Sequence, residues 1–337
     1  MTSETTATVA PIISIAIPTY NRSSRLRDTL TRLCSHPEIC EDWIEIVISD
    51  NASTDDTSQV VVEFSNRVGR AVIYSRSAEN LGIDGNIHRV SRLATGKFLL
   101  LMSDDDHLRV GALSYLRNLA TGTPDLLFCF VNGGSFSGSY DPQERLPNIV
   151  KVNNILVTRD PNELLGTIGV WSTFISSFFV ERKSWVEVPS PNSYIGSDIY
   201  LTHILFRLLT AGKGRTCVVT AEQWLAARSE YTGSYRIVHA FGYSLLKLLT
   251  QDALKLGLDR KTMRRIKLSV ICHVLPTKLI ETRLGREKLQ ALSYQELKAL
   301  LRYTWWEPLA WCYLLPPALL PLAAVERLRR IKRRLST

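Results

Sequence analysis

Three adjacent carboxylates, Asp104, Asp105 and Asp106, stand in the pentapeptide SDDDH (103–107), directly after the apolar run KFLLLM. Like charges held this close repel and raise one another's pKa values unless a cation or hydrogen-bond donors neutralise them. A divalent metal is a natural neutraliser. Hard oxygen ligands suit Mg²⁺ or Mn²⁺, which keep several waters and use one or two carboxylates together with substrate phosphates. The same run also suits a solvated acidic turn in which Asp106 caps a helix through LRVGALSYLRNL. A further carboxylate, Asp50, leaves the apolar run WIEIVIS and precedes NASTDDT, a composition that fits either a ligand contact or a turn and N-cap. A third stretch, AENLGIDGNIHR, offers Asn80 and Asn86 around Gly82 and Gly85. The glycines suit tight backbone turns, and Asn80 can bond a ligand or its own backbone.

Short apolar runs and amphipathic stretches alternate over the first 130 residues: IISIAIP, SSRLRDTLTRLC, WIEIVIS, DDTSQVVVEFSNRV, AVIYSR, IDGNIHRVSRLATG and KFLLLMS. This pattern predicts βαβ units and a mostly parallel sheet, in which ligands bind beyond the carboxyl ends of the strands. Thr19-Tyr20-Asn21, Asp50-Asn51 and the acidic triplet all fall at such ends. Farther on, DLLFCFVN and SSFFVERKSW read as strands, Gly133 to Asn148 as a loop, and DIYLTHILFRLLTAG as a helix beginning near Ser197 and stopped by Gly212. After Tyr231 the pattern is helical. The segment Pro308 to Val325 carries no charge over 18 residues, but its four prolines disfavour a continuous spanning helix. Trp305-Trp306 before it and the basic cluster Arg327 to Arg334 after it suit an interfacial segment on an anionic bilayer. The alternative is a C-terminal helix packed on the body.

A chain of 337 residues with 45% hydrophobic and 22% charged residues is folded and larger than one ordinary domain. Its net charge of +9 invites a nucleic-acid reading. Residues 1–130, however, carry 12 basic and 16 acidic groups, and 231–337 carry 20 and 7, so the basicity belongs to the C-terminal third and no nucleic-acid partner is expected. Six scattered cysteines without a CxxC pair argue against a zinc site or disulfide framework and for a reducing compartment. The opening MTSETTATVA has no basic region before its apolar run, so a cytoplasmic protein is expected, held peripherally at the inner face of the cytoplasmic membrane. There is no G-x-G-x-x-G, and Ala211-Gly212-Lys213 lacks the upstream glycine of a P-loop.

The order IPTYNR (17–22), SDNASTDDT (49–57), ENLG with Asn86, A-x-GK (94–97) and SDDDHL (103–108) resembles the N-terminal half of inverting family 2 glycosyltransferases of GT-A fold. The stretch 171–205 looks like the bacterial O-antigen branch typified by abequosyltransferases. The resemblance implies a mostly parallel α/β GT-A domain, placed over 1–232; the sequence pattern adds a helical region over 233–304 and a membrane-associating tail over 305–337. It implies metal-dependent transfer from a nucleotide-sugar donor to a saccharide or lipid-linked oligosaccharide acceptor in surface polysaccharide synthesis, with Mg²⁺ or Mn²⁺ as cofactor. Thr19, Tyr20 and Asn21 then border the nucleotide, Asp50 binds the base, and Asp104 and Asp105 contact ribose and diphosphate. Asp106 falls where the metal ligand stands, a role that Asp105 shares or takes. Asn80 joins the donor site, and Asp198 in Gly196-Ser197-Asp198 is the candidate base. Arg228 and Trp224 are candidates for the sugar or diphosphate pocket, with surface and core roles as alternatives, and His203 is assigned to packing. Two other readings remain: an inactive scaffold of glycan assembly, and an Asp-x-Asp phosphotransferase.

Overall fold

The computed structural model describes residues 10–189, 194–230, 236–283 and 294–314, together with 316, 317, 320, 321, 323, 324 and 327. Parallel strands β1 (Ile13–Thr19), β2 (Ile44–Asp50), β3 (Ile73–Arg76) and β4 (Phe98–Leu101) form one half of an eight-stranded sheet. They alternate with α1 (Ser23–Leu33), α2 (Thr57–Val68) and α3 (Gly82–Leu93), as the hydrophobic pattern predicts. A two-residue strand β5 (His107–Leu108) and helix α4 (Ala112–Gly122) follow, and β6 (Leu126–Phe130) re-enters the sheet. Then come β7 (Gly133–Phe136), β8 (Leu156–Thr158), α5 (Pro161–Ile168), β9 (Phe178–Glu181), α6 (Arg182–Glu187), α7 (Tyr200–Ala211), β10 (Thr216–Val219) and β11 (Leu225–Arg228).

The large sheet runs β3-β2-β1-β4-β9-β6-β10-β8, with β9 antiparallel to both its neighbours and β8 antiparallel at the edge. Its middle is apolar on both faces: Ile13, Ile15, Ile17, Phe98, Phe128 and Phe179 are all buried, and Phe98 stacks on Phe179 at 4.9 Å. Such continuous apolar strands are what a sheet covered by helices on both sides requires. In register Thr19 pairs with Asp50 and Asp50 with Arg76, so the strands end level and their polar ends form one edge.

Two elements depart from the sequence expectation. The glycine- and serine-rich stretch from Gly133 begins as strand β7, which with β11 and β5 forms a second sheet in the order β5-β11-β7. Glycine is needed there because a Cβ on Gly133 would stand 2.3 Å from the Leu225 carbonyl oxygen. Composition that reads as a loop thus marks close approach of two backbones. Helix α7 begins at Tyr200 rather than near Ser197, since Gly196 (φ +90°) and Asp198 (φ +62°) hold left-handed conformations that no helix accommodates.

The C-terminal residues form helical runs over 237–255 and 260–283, then helices Tyr294–Thr304 and Pro308–Tyr313. The start of the expected tail lies on this body. Ala310 and Leu314 are buried, and Glu307, 3% exposed, takes a hydrogen bond from Arg264 and pairs with the buried Lys267 at 2.6 Å. Trp305, Trp306, Leu309, Trp311 and Tyr313 are exposed. Of the basic cluster only Arg327 is described; Arg329 to Arg334 lie outside the described residues. Among the described residues no helix is long and apolar enough to cross a membrane.

Candidate active site

A cavity of about 430 Å³ opens at the carboxyl edge of β1, β2 and β4. Its lining comes from four places: Pro18 to Arg22 at the end of β1 and just after it, Asn51 after β2, Asn80 just before α3 with Gly82, Ile83 and Asn86 on it, and Ser103 and Asp104 after β4. Ile175 and Asp198 complete the wall. Mixed apolar and convergent polar lining of this size suits a small-molecule site.

Two left-handed non-glycine residues shape the loops, Asn21 (φ +50°) and Ala52 (φ +63°). Residues in sparsely populated backbone regions persist only where their surroundings fix them. Here the Asn21 side-chain oxygen accepts from the Thr54 N–H at 2.7 Å and its own N–H donates to Ser53 Oγ at 2.9 Å, tying the loop after β1 to the loop after β2. Asn86, on α3, donates to the carbonyls of Thr19 and Ser49 and accepts from Ser49 Oγ. Asn51 donates to Asn80 Oδ1 at 2.8 Å and accepts from the Leu81 N–H, which places Asn80 on the cavity rim. Asp50 is 1% exposed beneath this rim: it accepts from the Ser53 N–H and from the Tyr74 hydroxyl, so it fixes the turn that carries Asn51 and does not line the cavity.

The acidic triplet divides into three environments. Asp104 faces the cavity, where it accepts from Thr19 Oγ1 at 2.7 Å and from Arg22 at 2.6 Å. Asp105 accepts from Ser103 Oγ at 2.6 Å and pairs with the same Arg22 guanidinium. Asp106 points away: Ser176 Oγ donates to one oxygen at 2.6 Å and the Arg228 N–H to the other at 2.8 Å. Burial raises the Asp104 pKa to about 6, with Arg22 opposing, and raises that of Asp106 above the ordinary carboxylate range, with the Asp105 charge adding. The helix expected at Asp106 starts at Ala112, so Asp106 caps nothing.

Hard-oxygen chemistry and excess negative charge fit a divalent cation held by Asp105 with Asp104, since such ions use one or two carboxylates and complete their shell with water and phosphate. Asp106 fits less well as a ligand, because it is 2% exposed and does not line the cavity, whereas Asp104 lines it and the Asp105 side chain is 12% exposed. Among the described residues no group of three or more His, Cys, Asp or Glu side chains gathers around a metal position.

Asp198 reaches the cavity from the loop before α7. Its carboxylate accepts from Arg236 Nε at 3.1 Å, and burial raises its pKa against the opposing Arg236 charge. Arg228 and Trp224 do not line the cavity. The Arg228 guanidinium, 4% exposed, lies over the Phe136 ring and bonds the Gly138 carbonyl, while Trp224 stacks on Tyr115 at 4.8 Å. His203 stacks on Tyr194 and accepts from Arg207, a packing role, and burial lowers its pKa to about 4. Sequence reasoning missed Arg22, Ser176 and Asp84. Arg22 stands inside the quoted IPTYNR, while Asp84 and Ser176 are isolated polar residues whose partners are about 70 or more positions away in the chain.

The model of the family "Glycosyl transferase family 2" matches residues 14–183, about half of the chain. Abequosyltransferase RfbV of Salmonella typhimurium is 31% identical over 194 residues, covering 56% of this chain and 58% of that protein. A GalNAc(5)-diNAcBac-PP-undecaprenol beta-1,3-glucosyltransferase of Campylobacter jejuni is 31% identical over 112 residues, covering 33% of this chain and 35% of that protein. The chain thus matches less than two thirds of the length of these relatives. Among solved structures, S. aureus TarS 1-349 superposes with a TM-score of 0.56 at 15% identity over 91% of this chain and 81% of that one. Mannosyltransferase PcManGT from Pyrobaculum calidifontis, in complex with GDP-Man and Mn²⁺, gives 0.54 at 14% identity over 92% and 87%. At these identities the likeness shows the fold, which is GT-A.

Asp84 and Asp104 both have native pKa values raised to about 6 by burial, so the folded state binds more protons than the unfolded state above the ordinary carboxylate value. Stability should therefore fall as pH rises from about 4 through about 6. Urea unfolding across that window checks this, with a shallower decline expected for Asp104→Asn and a flat wild-type profile contradicting it.

Proposed function

The chain belongs to glycosyl transferase family 2, and on that premise we propose that it is a glycosyltransferase that performs metal-dependent, inverting transfer of a sugar from a nucleotide-diphosphate donor to a saccharide acceptor. The observation that carries this reading is that Asp198 shares one cavity with Asp104, Tyr20, Asn21 and Asn80. Tyr20, Asn21 and Asn80 line the nucleotide side, with Thr19 and Arg22 holding Asp104 in place. A divalent cation at Asp105 and Asp104 would supply charge neutralisation for the departing diphosphate. Arg22 adds a positive group on the same wall.

Asp198 takes the acceptor hydroxyl proton as that oxygen attacks the anomeric carbon. Its raised pKa suits this work, because a general base is most effective when its pKa approaches the operating pH. Arg236 holds the carboxylate in position and limits the upward shift. Single displacement needs one base on the acceptor side, and Asp198 comes from a different loop than the acidic triplet.

For the acceptor we assign a lipid-linked oligosaccharide of bacterial surface polysaccharide. RfbV and the Campylobacter enzyme are named for abequosyl transfer and for a PP-undecaprenol substrate, and the exposed aromatic face of the C-terminal helices suits a bilayer interface. A scaffold without turnover is disfavoured by Asp198 in the cavity wall and by the adjacent carboxylates Asp104 and Asp105, which a scaffold would have no electrostatic reason to keep.

Asp198→Asn should lower turnover by about 100-fold or more while Mn²⁺-dependent thermal stabilisation by the nucleotide-sugar donor persists; normal turnover would exclude the base assignment. Sedimentation with anionic vesicles checks the membrane face: Trp305→Ser combined with Trp311→Ser should release protein into the supernatant, and unchanged pelleting would remove that face from the account.

A further inference from the structure

Asp84 is 2% exposed and lies in the first turn of α3, between the cavity-lining residues Ile83 and Asn86. Its carboxylate does not cap its own helix. One oxygen accepts from the N–H groups of Gly196 at 2.9 Å and Asp198 at 2.8 Å, and the other from the Tyr200 N–H at 3.2 Å. These donors lie more than 110 residues away in sequence, in the loop that brings Asp198 to the cavity. That loop needs an external hold. Gly196 and Asp198 are both left-handed, and for Asp198 that conformation is unfavourable in the absence of a fixing contact. An ionised carboxylate is an acceptor at both oxygens, so it takes all three N–H groups at once. Asparagine, of the same shape, would turn an NH₂ group toward at least one of them.

We propose that Asp84 is a positioning residue for sugar transfer: by gathering the Gly196, Asp198 and Tyr200 amides it fixes the backbone that aims the Asp198 carboxylate into the cavity. This rests on the reading of Asp198 as the base. It also gives α3 a double task, since the same turn that lines the donor cavity sets the acceptor-side loop. Arg236 completes the hold from the C-terminal helical region by bonding both the Asp198 carboxylate and the Gly196 carbonyl.

The test is a kinetic double-mutant cycle on the full chain with Asp84→Asn, Asp198→Asn and the double variant, reading kcat and donor KM separately. Misplacing a reacting group by about 1 Å costs on the order of 100-fold in rate. Asp84→Asn should show a loss of about that size in kcat with donor KM near wild type, and little additional loss when Asp198 is already Asn. A near wild-type kcat in Asp84→Asn beside a lost kcat in Asp198→Asn overturns the positioning role alone, as do losses that multiply in the double variant. Full turnover in Asp198→Asn overturns the base assignment and the positioning role with it. Should Asp84→Asn not fold, Asp84→Glu keeps the acceptor-only group but displaces it by one methylene; a lost kcat supports the proposal and a wild-type kcat contradicts it.

Discussion

Burying several carboxylates at one edge of a parallel sheet is costly, and much of the surrounding structure offsets that cost. Asp50, Asp84, Asp104 and Asp106 are each 1 to 2% exposed. A buried charge is tolerated where it is paired and hydrogen-bonded, and each of these four meets that demand differently. Asp104 has the Arg22 guanidinium and Thr19, Asp106 has Ser176 and a main-chain N–H, Asp50 has Tyr74 and a turn amide, and Asp84 has three loop amides. The compensation is incomplete for Asp84, Asp104 and Asp106, whose pKa values stand above the ordinary carboxylate range because burial outweighs their partners. Residual negative charge of this kind favours a cation and suits proton-transfer chemistry.

The second sheet follows from the same constraint. β11 presents the Arg228 N–H to Asp106, and β5 begins at His107, the residue after the triplet. Pairing of β11 with β5 and β7 fixes that N–H against the carboxylate, which is a use for Arg228 through its backbone. The guanidinium turns the other way, onto Phe136 and toward Asp28 and Glu230. Ser176 serves both sides of the same region, accepting from the Ser103 N–H while donating to Asp106. The triplet is therefore held from β1, from the segment before β9 and from the second sheet.

The half of the molecule built from βαβ units was legible because each element is local: apolar runs of strand length, helical periodicity between them, and polar residues at the carboxyl ends. Thr19, Tyr20, Asn21, Asn80 and Asp104 were proposed on that basis together with the family resemblance, and these five and Asp198 line the cavity, whereas Asp50, Asp105, Asp106, Trp224 and Arg228 are not among its lining residues. What was not legible depends on distant partners. Nothing in GIDGN says that Asp84 reaches across to residues 196–200, and nothing in GGSF says that Gly133 admits a neighbouring strand. The orientation of Asp106 was hidden for a similar reason, since consecutive Asp residues differ only in what the rest of the fold offers them. Arg228 misled because an arginine after a strand suggests anion binding, whereas here its side chain packs in a second sheet that the sequence did not announce.

The central claim is that a base on one loop acts on the acceptor side of a single displacement at the anomeric carbon, while a carboxylate pair on another loop, which would hold a charge-neutralising cation, acts on the leaving-group side. Product stereochemistry tests it most directly. Proton NMR of the anomeric coupling in the first-formed product, compared with that of the nucleotide-sugar donor consumed, should show inverted configuration. Retention of the donor's anomeric configuration would contradict the account, because a single attack assisted by Asp198 cannot produce it.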